Sequence, residues 1–394
     1  MNEHDNPPIV PELRLAIRMD KIQRLATGDL GHMTLRRDCI IPPEYCDENV
    51  YQNYDNTTLW YDAFWDAGKV TIIAPPLVNL GRHLKASKIF VDDVLVKTYK
   101  PRRFKYYEVL QVKAPFVPNE LRVEIEAGAV VSKVNRVDLE TFKGKNAILV
   151  KSKDNDLEWI RDFSLFHKRT QGAEAILFID NGSTRYEAHD ISSVMESAGL
   201  QHVVIEAPFK FGPDIKEAGP RYRCRAQFFQ HAVLNIARLR FLSGARAVLS
   251  IDIDELVWSE TSNVFDKAVA NPFGYVSFRG VGRNPSLAQE GPARHADHLW
   301  GNAQSKPTGK LQPSHTKYAV APGRLAGRLS WSVHRVGLLP LEHVFERRDC
   351  GFWHCSGIST GWRDADRLGK RGGVFFDTEM KRLMEEAALE GSDS

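Results

Sequence analysis

Four short apolar runs constrain this chain more than any other feature: Ala147–Lys151, Ala175–Ile179, Val203–Ile205 and Ala247–Ile251. Each is rich in Ile, Val and Leu and too short for a buried helix, so each reads as a strand. Helical spacing fills the gaps between them. Leu157, Ile160 and Phe163 share one face within 154–168, and residues 190–200 form a second helix closed by Gly199. A third spans 220–242, striped by Phe229, Val233, Ile236 and Leu239 and followed by Gly244. Strand alternating with helix needs a crossover at every step. That predicts an α/β fold: a mostly parallel, Rossmann-like sheet with helices on both faces. Such sheets bind ligands beyond the carboxyl ends of their strands.

The fourth run ends in Asp252-Ile253-Asp254-Glu255, three carboxylates within four residues. On an extended chain Asp252 and Asp254 point the same way. Crowded at the end of a buried strand, such acids repel one another and resist desolvation. A divalent cation relieves both costs, and hard oxygen ligands suit Mn²⁺ or Mg²⁺, which in turn holds a diphosphate. The plainer alternative is a solvated acidic turn. Asp154 and Asp180 also sit at or just past strand ends, which strengthens the first reading. Arg221, Arg223, Arg225, Arg238 and Arg240 make the preceding helix basic; they face either a diphosphate or solvent.

The remaining chain divides by its grammar. Residues 1–50 form an N-terminal extension in which Leu13–Leu25 reads as a short basic amphipathic helix, docked on its own protein or on a membrane surface. Residues 51–143 carry short alternating runs punctuated by proline, with Asp92-Asp93 as a hairpin turn, and predict a small β-sandwich-like accessory domain. The α/β domain occupies 144–378. Within it, 280–315 is mostly loop, and Trp331–Val336 and Gly351–Cys355 are strand-like runs carrying His334 and His354. A charged helix begins at Thr378 and leads into the 379–394 tail. Cys350-x4-Cys355 matches no common zinc spacing.

Composition excludes several classes. A net charge of +3 implies no polyanion partner, so nucleic acid is not expected. No run of 18 apolar residues predicts a membrane span, and the first residues lack a secretory signal. Five scattered cysteines point to a reducing, cytoplasmic setting, with the basic N-terminus as a candidate peripheral contact at the inner membrane face.

Three motifs stand in order. Lys151-Ser152-Lys153-Asp154-Asn155-Asp156 follows the first strand, Phe178-Ile179-Asp180-Asn181-Gly182-Ser183-Thr184 ends the second, and Leu249-Ser250-Ile251-Asp252-Ile253-Asp254-Glu255-Leu256 ends the fourth. Together they resemble GT-A fold glycosyltransferases, most nearly the family 92-like group and its family 2-like bacterial relatives. The resemblance covers about 145–365. It implies a UDP-sugar or other nucleotide-sugar donor and a saccharide or lipid-linked acceptor. It also implies inversion, and work in surface polysaccharide or lipopolysaccharide assembly. Asp252 and Asp254 match the metal-binding aspartates of that group, and Glu255 shapes the turn or joins them. Asp180, Asn181 and Ser183 match its donor-nucleoside turn, and Lys317 its diphosphate contact. His334 and His354 stand where the group carries histidines and are candidates for the metal shell; a core role is the plainer reading of each.

Two departures stand out. Arg185 replaces a common acid, and Asp154 and Asp156 replace Asn and Glu. For the base that deprotonates an acceptor, the 280–315 loop offers Glu290, His295 and Asp297, of which Asp297 is the choice. Two rivals remain. A nucleotidyl- or phosphotransferase needs a glycine-rich phosphate loop, and Ser152–Asp156 has no glycine. A non-catalytic carbohydrate-binding or scaffold protein with a degenerate core would bind without turnover.

Overall fold

The computed structural model describes residues 20–97, 101–213, 215, 226–302, 315–337, 341–358 and 371–391. A nine-stranded sheet organises it. Its strands are β1 (Ile22–Arg24), β2 (Asn146–Ser152), β3 (Ala175–Asp180), β4 (Gln201–Glu206), β5 (Ala247–Ser250), β6 (Glu255–Ser259), β7 (Tyr275–Arg283), β8 (Thr316–Val320) and β9 (Cys350–Cys355). They lie in the order β1-β4-β3-β2-β5-β8-β7-β9-β6. From β1 through β5 every pairing is parallel. Beyond β5, β8 is antiparallel to β5 and to β7, β9 is parallel to β7, and β6 closes antiparallel to β9. This is the α/β architecture the strand–helix alternation predicts.

Five helices matter to the sheet: α1 (Leu157–Gln171), α2 (Ala188–Ser197), α3 (Phe228–Arg240), α4 (Val264–Ala270) and α5 (Thr378–Glu386). Successive residues of the parallel strands feed opposite cores, which is why the runs are apolar throughout and not alternating. Ile148, Val150, Ile176, Phe178 and Leu249 pack with α1, α2, α4 and α5. Ala147, Leu149, Leu177, Ile179 and Val248 pack with α3. The first helix starts at Leu157 and stops at Gly172, whose φ of 68° costs a glycine little. The third helix was expected from 220; Pro220–Arg225, with Arg221, Arg223 and Arg225, lie outside the described residues.

Residues 58–136 build two further sheets. One has four strands, in the order Gly128–Lys133, Glu120–Ile125, Lys88–Val91, Val94–Val96. Its hairpin turns through Asp92 and Asp93, both left-handed at φ 46° and 64°, as a two-residue turn requires. The other has five, in the order Asn135–Arg136, Asp62–Asp66, Lys69–Ala74, Glu108–Lys113, Arg102–Arg103. Ile72, Leu110 and Val112 face the four-stranded sheet, where Leu121 and Val123 meet them. Phe64, Ile73 and Val109 on its other face join the core around α3. That helix is therefore covered on both sides, and Phe228, Phe229, Ala232, Val233, Leu234, Ile236 and Ala237 are all buried.

Two local expectations are corrected. Ile22–Arg24, expected in an amphipathic helix, is a strand: the open parallel edge of β4 captures it, and Val204 N donates to Lys21 O at 2.8 Å. The rest of that expected helix, through residue 19, lies outside the described residues. Trp331–Val336 is not a strand. Only its ends pair, as an isolated bridge, and His334 sits in the loop between them. Asn235 of α3 pins that loop, accepting from Trp331 N at 3.0 Å and donating to Trp331 O at 2.9 Å. No described helix is long and apolar enough to cross a membrane.

Candidate functional site

The chain runs through β2, β3 and β4 on one side of the sheet and then crosses to β5 on the other side of β2. A doubly wound sheet opens a crevice at such a reversal, beyond the carboxyl ends of the two strands. Here those ends carry Lys151 and Asp252.

β5 stops at Ser250, and the chain turns: Glu255 N donates to Asp252 O at 3.1 Å. Asp252 and Asp254 keep an oxygen each within 4.8 Å of the other across this turn. Asp252 and Glu255 converge on one ammonium. Lys317 Nζ contacts Asp252 Oδ2 and lies 2.8 Å from Glu255 Oε2. Asp254 Oδ2 faces His354 Nε2 at 3.3 Å. β6 and β9 set that pair, with Glu255 opposite His354 and Cys355 N donating to Asp254 O at 2.7 Å. One oxygen from each of the three carboxylates still lies within 4.8 Å of the others.

Both neighbours of β5 supply a lysine. Lys317 comes from β8 and is 2% exposed; Lys151 ends β2, and its Nζ lies 4.0 Å from Asp252 Oδ1. Burial alone would lower the Lys317 pKa, but Asp252 and Glu255 outweigh it and hold the ammonium above its ordinary value. Burial would raise Asp252, yet Lys317 and Lys151 keep it well below the carboxylate range. Burial raises Asp254 against the pull of His354, and it pushes Glu255 up to about 7 with Asp252 and Asp254 adding to the shift. Lys151 is lowered by burial, although Asp252 opposes the shift.

A second group lies on the same rim, one and two strands away. Asp180 is the register partner of Ser152 and of Glu206. Its carboxylate accepts from Ser183 N at 3.2 Å and Ser183 Oγ at 2.5 Å. Ser183 Oγ in turn accepts from Asp154 N at 2.8 Å, and Asp154 Oδ1 accepts from Thr184 N at 2.7 Å. Asn181 donates to Ala207 O at 2.7 Å and Phe209 O at 2.9 Å, tying in the segment after β4. Asp154, Asp180, Asn181 and Ser183 thus form one interlock joining three strand ends. Asp154 is left-handed at φ 51°, a strain of the kind found where loops are held for function. The two sequence departures compensate each other: Arg185 Nη2 lies 2.6 Å from Asp156 Oδ1.

The remaining candidates separate. His334 is half-buried beside Lys317; it stacks on His315 at 4.5 Å, and its Nδ1 lies 3.1 Å from Thr316 O. Burial, followed by the charge of Lys317, lowers its pKa to about 3. Asp297 lies in the single 3-10 turn His295–Asp297, where its Oδ2 accepts from Arg294 N at 2.7 Å. His295 was named in sequence only as a loop residue, but it is fully buried and its Nε2 lies 2.8 Å from Ile253 O, between the two aspartates. It braces the acidic turn from behind. Arg294 anchors that brace on buried Asp162 of α1 at 2.8 Å. Sequence reasoning also passed over Lys151, although a lysine ending an otherwise apolar strand was the signal. It passed over His231 on α3, which stacks on Tyr106 of the accessory domain at 4.0 Å and feels the charges of Lys151, Lys105 and Arg335.

The donor set fits a divalent cation on one side only. Asp254 Oδ2 and His354 Nε2 stand at the spacing of neighbouring ligands, and both side chains reach solvent. Asp252 and Glu255 are already bridged by Lys317.

No family model and no curated protein matches the chain. Among solved structures it overlays in part on S. aureus TarS residues 1–349, at 14% identity and TM-score 0.24, over 45% of this chain and 47% of that one. The galactosyltransferase LgtC in complex with donor and acceptor sugar analogs overlays at 11% identity and TM-score 0.30, over 61% of this chain and 95% of that one. The mannosyltransferase Ktr4p from S. cerevisiae overlays at 14% identity and TM-score 0.23, over 40% of this chain and 44% of that one. This chain spans 23% of the longer TarS chain. Overlays this partial leave the site to be read from its own residues.

Proposed function

We propose that this chain is a glycosyltransferase that moves a sugar from a nucleotide-sugar donor, a UDP-sugar first among them, to a saccharide or lipid-linked saccharide acceptor. The observation that carries the reading is the acidic turn at the chain's reversal point, flanked by two buried lysines. A diphosphate needs cations arranged beside acids that hold them, and this rim provides both. The sequence resemblance supports the same reading. Metal dependence, inversion of configuration and a place in surface polysaccharide or lipopolysaccharide assembly belong to the proposal and rest on the resemblance and the donor set.

Within this reading Asp254 and His354 would hold Mn²⁺ or Mg²⁺, which when bound would supply positive charge against the departing nucleoside diphosphate. Lys317 and Lys151 together offset much of the charge of Asp252 and Glu255, which lessens the repulsion of an incoming anion. Asp180 and the Asp154–Ser183 interlock shape the nucleoside end of the crevice. His334 stays neutral beside Lys317 and offers a nitrogen without adding charge. Asp297 is proposed as the base that takes the acceptor's hydroxyl proton.

Calorimetry with UDP and Mn²⁺ tests the reading. Wild type should bind UDP more tightly with the metal, and Asp254→Ala should lose that gain. If no nucleoside diphosphate binds with or without metal, the reading is wrong. Binding without sugar transfer or donor hydrolysis across UDP-, GDP- and dTDP-sugars would instead identify a non-catalytic binding protein. Asp297→Asn keeps an oxygen for Arg294 N while removing the basicity, so a loss of turnover above about a hundredfold at unchanged KM is expected of a base.

A further inference from the structure

Among the described residues, the Lys151 ammonium on this rim faces carboxylates without bonding to one. Its side chain is 10% exposed. Among the described residues its ammonium makes no hydrogen bond, and the carboxylate oxygen it faces, Asp252 Oδ1, stands at 4.0 Å, beyond bonding reach. The Lys151 Nζ is not one of the fully buried polar atoms left without a partner, so the ammonium reaches the crevice with its N–H donors not engaged by the described residues. The other charges nearby sharpen the mismatch. Asp252 already gives its second oxygen to Lys317, and Lys317 itself opposes the Lys151 charge. Asp252 and Glu255 attract the ammonium without bonding to it, and His231 stands near enough to feel the charge of Lys151 together with those of Lys105 and Arg335. The ammonium's place is the carboxyl end of β2, next to β5, where the sheet opens.

We propose that Lys151 is an anion-binding residue: its ammonium receives an oxygen of the donor's diphosphate, in the space between Asp252 and His231. This rests on the glycosyltransferase reading for the identity of the anion, but not for the site itself. An oxygen anion there completes the hydrogen bonds that Lys151 lacks. It also brings the accessory domain to the edge of the site, because Tyr106 stacks on His231 and Lys105 lies 4.9 Å over the Tyr106 ring. Lys317 and Lys151 then divide the work. The first is bonded to Asp252 and Glu255, and the second keeps its N–H donors for the ligand.

The experiment is calorimetric titration of wild type, Lys151→Met and Lys151→Gln with inorganic pyrophosphate, UDP and uridine. Thermal unfolding of each protein without ligand runs alongside. A charge-assisted bond to a buried ammonium is worth roughly ten- to a hundredfold in affinity. Lys151→Met should lose that much for pyrophosphate and UDP and leave uridine within twofold. Its melting temperature should hold, because the ammonium makes no hydrogen bond to the described residues. A lysine that merely supported Asp252 would instead lower the melting temperature and weaken all ligands alike, which overturns the proposal. If Lys151→Met does not fold, Lys151→Gln decides by the same comparison. Wild-type UDP binding that Lys151→Met leaves within twofold removes Lys151 and keeps the glycosyltransferase reading. Pyrophosphate binding that Lys151→Met abolishes, with no preference for UDP, keeps Lys151 and removes that reading. A wild type that binds neither overturns both.

Discussion

Two buried charge clusters in this molecule use similar groups for opposite ends. The first joins the five-stranded sheet to the large sheet. Arg240 of α3 and Asp62 are both fully buried, 3.2 Å apart. Arg240 also donates to Arg136 O at 3.0 Å and Gln23 Oε1 at 2.9 Å. Asp62 Oδ1 accepts from Ala26 N and Asn135 Nδ2, each at 2.8 Å. One acid meets one base, and the surrounding backbone and amides take up the spare bonds. The second cluster places three acids against Lys317 and Lys151, leaves Lys151 short of acceptors, and opens to solvent at Asp252 (35% exposed) and His354 (49%). A buried charge with every partner in place joins parts of a fold. A charge at a crevice that makes no hydrogen bond to the described residues keeps its donors open to a ligand.

The largest effect expected concerns the join. Asp62→Ala strands the Arg240 charge and should cost about 3–5 kcal/mol in denaturant unfolding. Asp62→Leu combined with Arg240→Met should recover most of it. A cost below about 1 kcal/mol would dissolve the contrast between the clusters. Asp254→Ala works the other way: metal-coupled UDP affinity should fall at least about a hundredfold, some 2.7 kcal/mol, while stability holds. Loss of stability without loss of metal coupling would make Asp254 a structural residue.

Acid should separate the two regions further. Burial lowers His167 to about 4 and His295 to about 3. The unfolded chain takes up these protons near pH 6.5 and the folded one does not. The stability contributed is therefore full above pH 6.5 and is lost as pH falls toward 4, by about 1.4 kcal/mol per unit for each histidine. His167 donates from Nδ1 to Phe163 O at 2.9 Å and accepts from Val257 N at 3.2 Å, so protonation breaks the second bond. Hydrogen exchange at pH 5 should quicken in 250–298 before it does in 58–74; simultaneous exchange would mean one cooperative unit. Arg185→Ala should have the smallest effect, below about 1 kcal/mol, because its pair with Asp156 is exposed. A larger cost would show that the interlock at Asp154 depends on that pair.

What could be read in advance follows from the range of each interaction. The strands of the α/β half were legible because burial on both faces leaves an unbroken apolar run. The acids of the rim were legible because three of them are neighbours in sequence. The partners of Asp252 were not legible, because the chain turns just after Ser250 and Lys317 comes from a strand some 65 residues away. Ile22–Arg24 becomes a strand only because β4 has an open edge. Arg185 and Asp156 each looked like a loss of pattern; they are one ion pair, formed between residues that only the loops after β2 and β3 bring together.

By itself, the amino-acid sequence determined the parallel strands β2 to β5, the helices between them and the acidic motif that closes β5, since these depend on neighbours a few residues apart. Only the tertiary structure decided the charge balance of that motif. Lys317 arrives from β8 and Lys151 from β2 because the sheet places β5 between them, and His295 and His354 reach the turn from the far side of the chain. Strand order comes from long-range pairing, and electrostatics at 3–4 Å depends on that order.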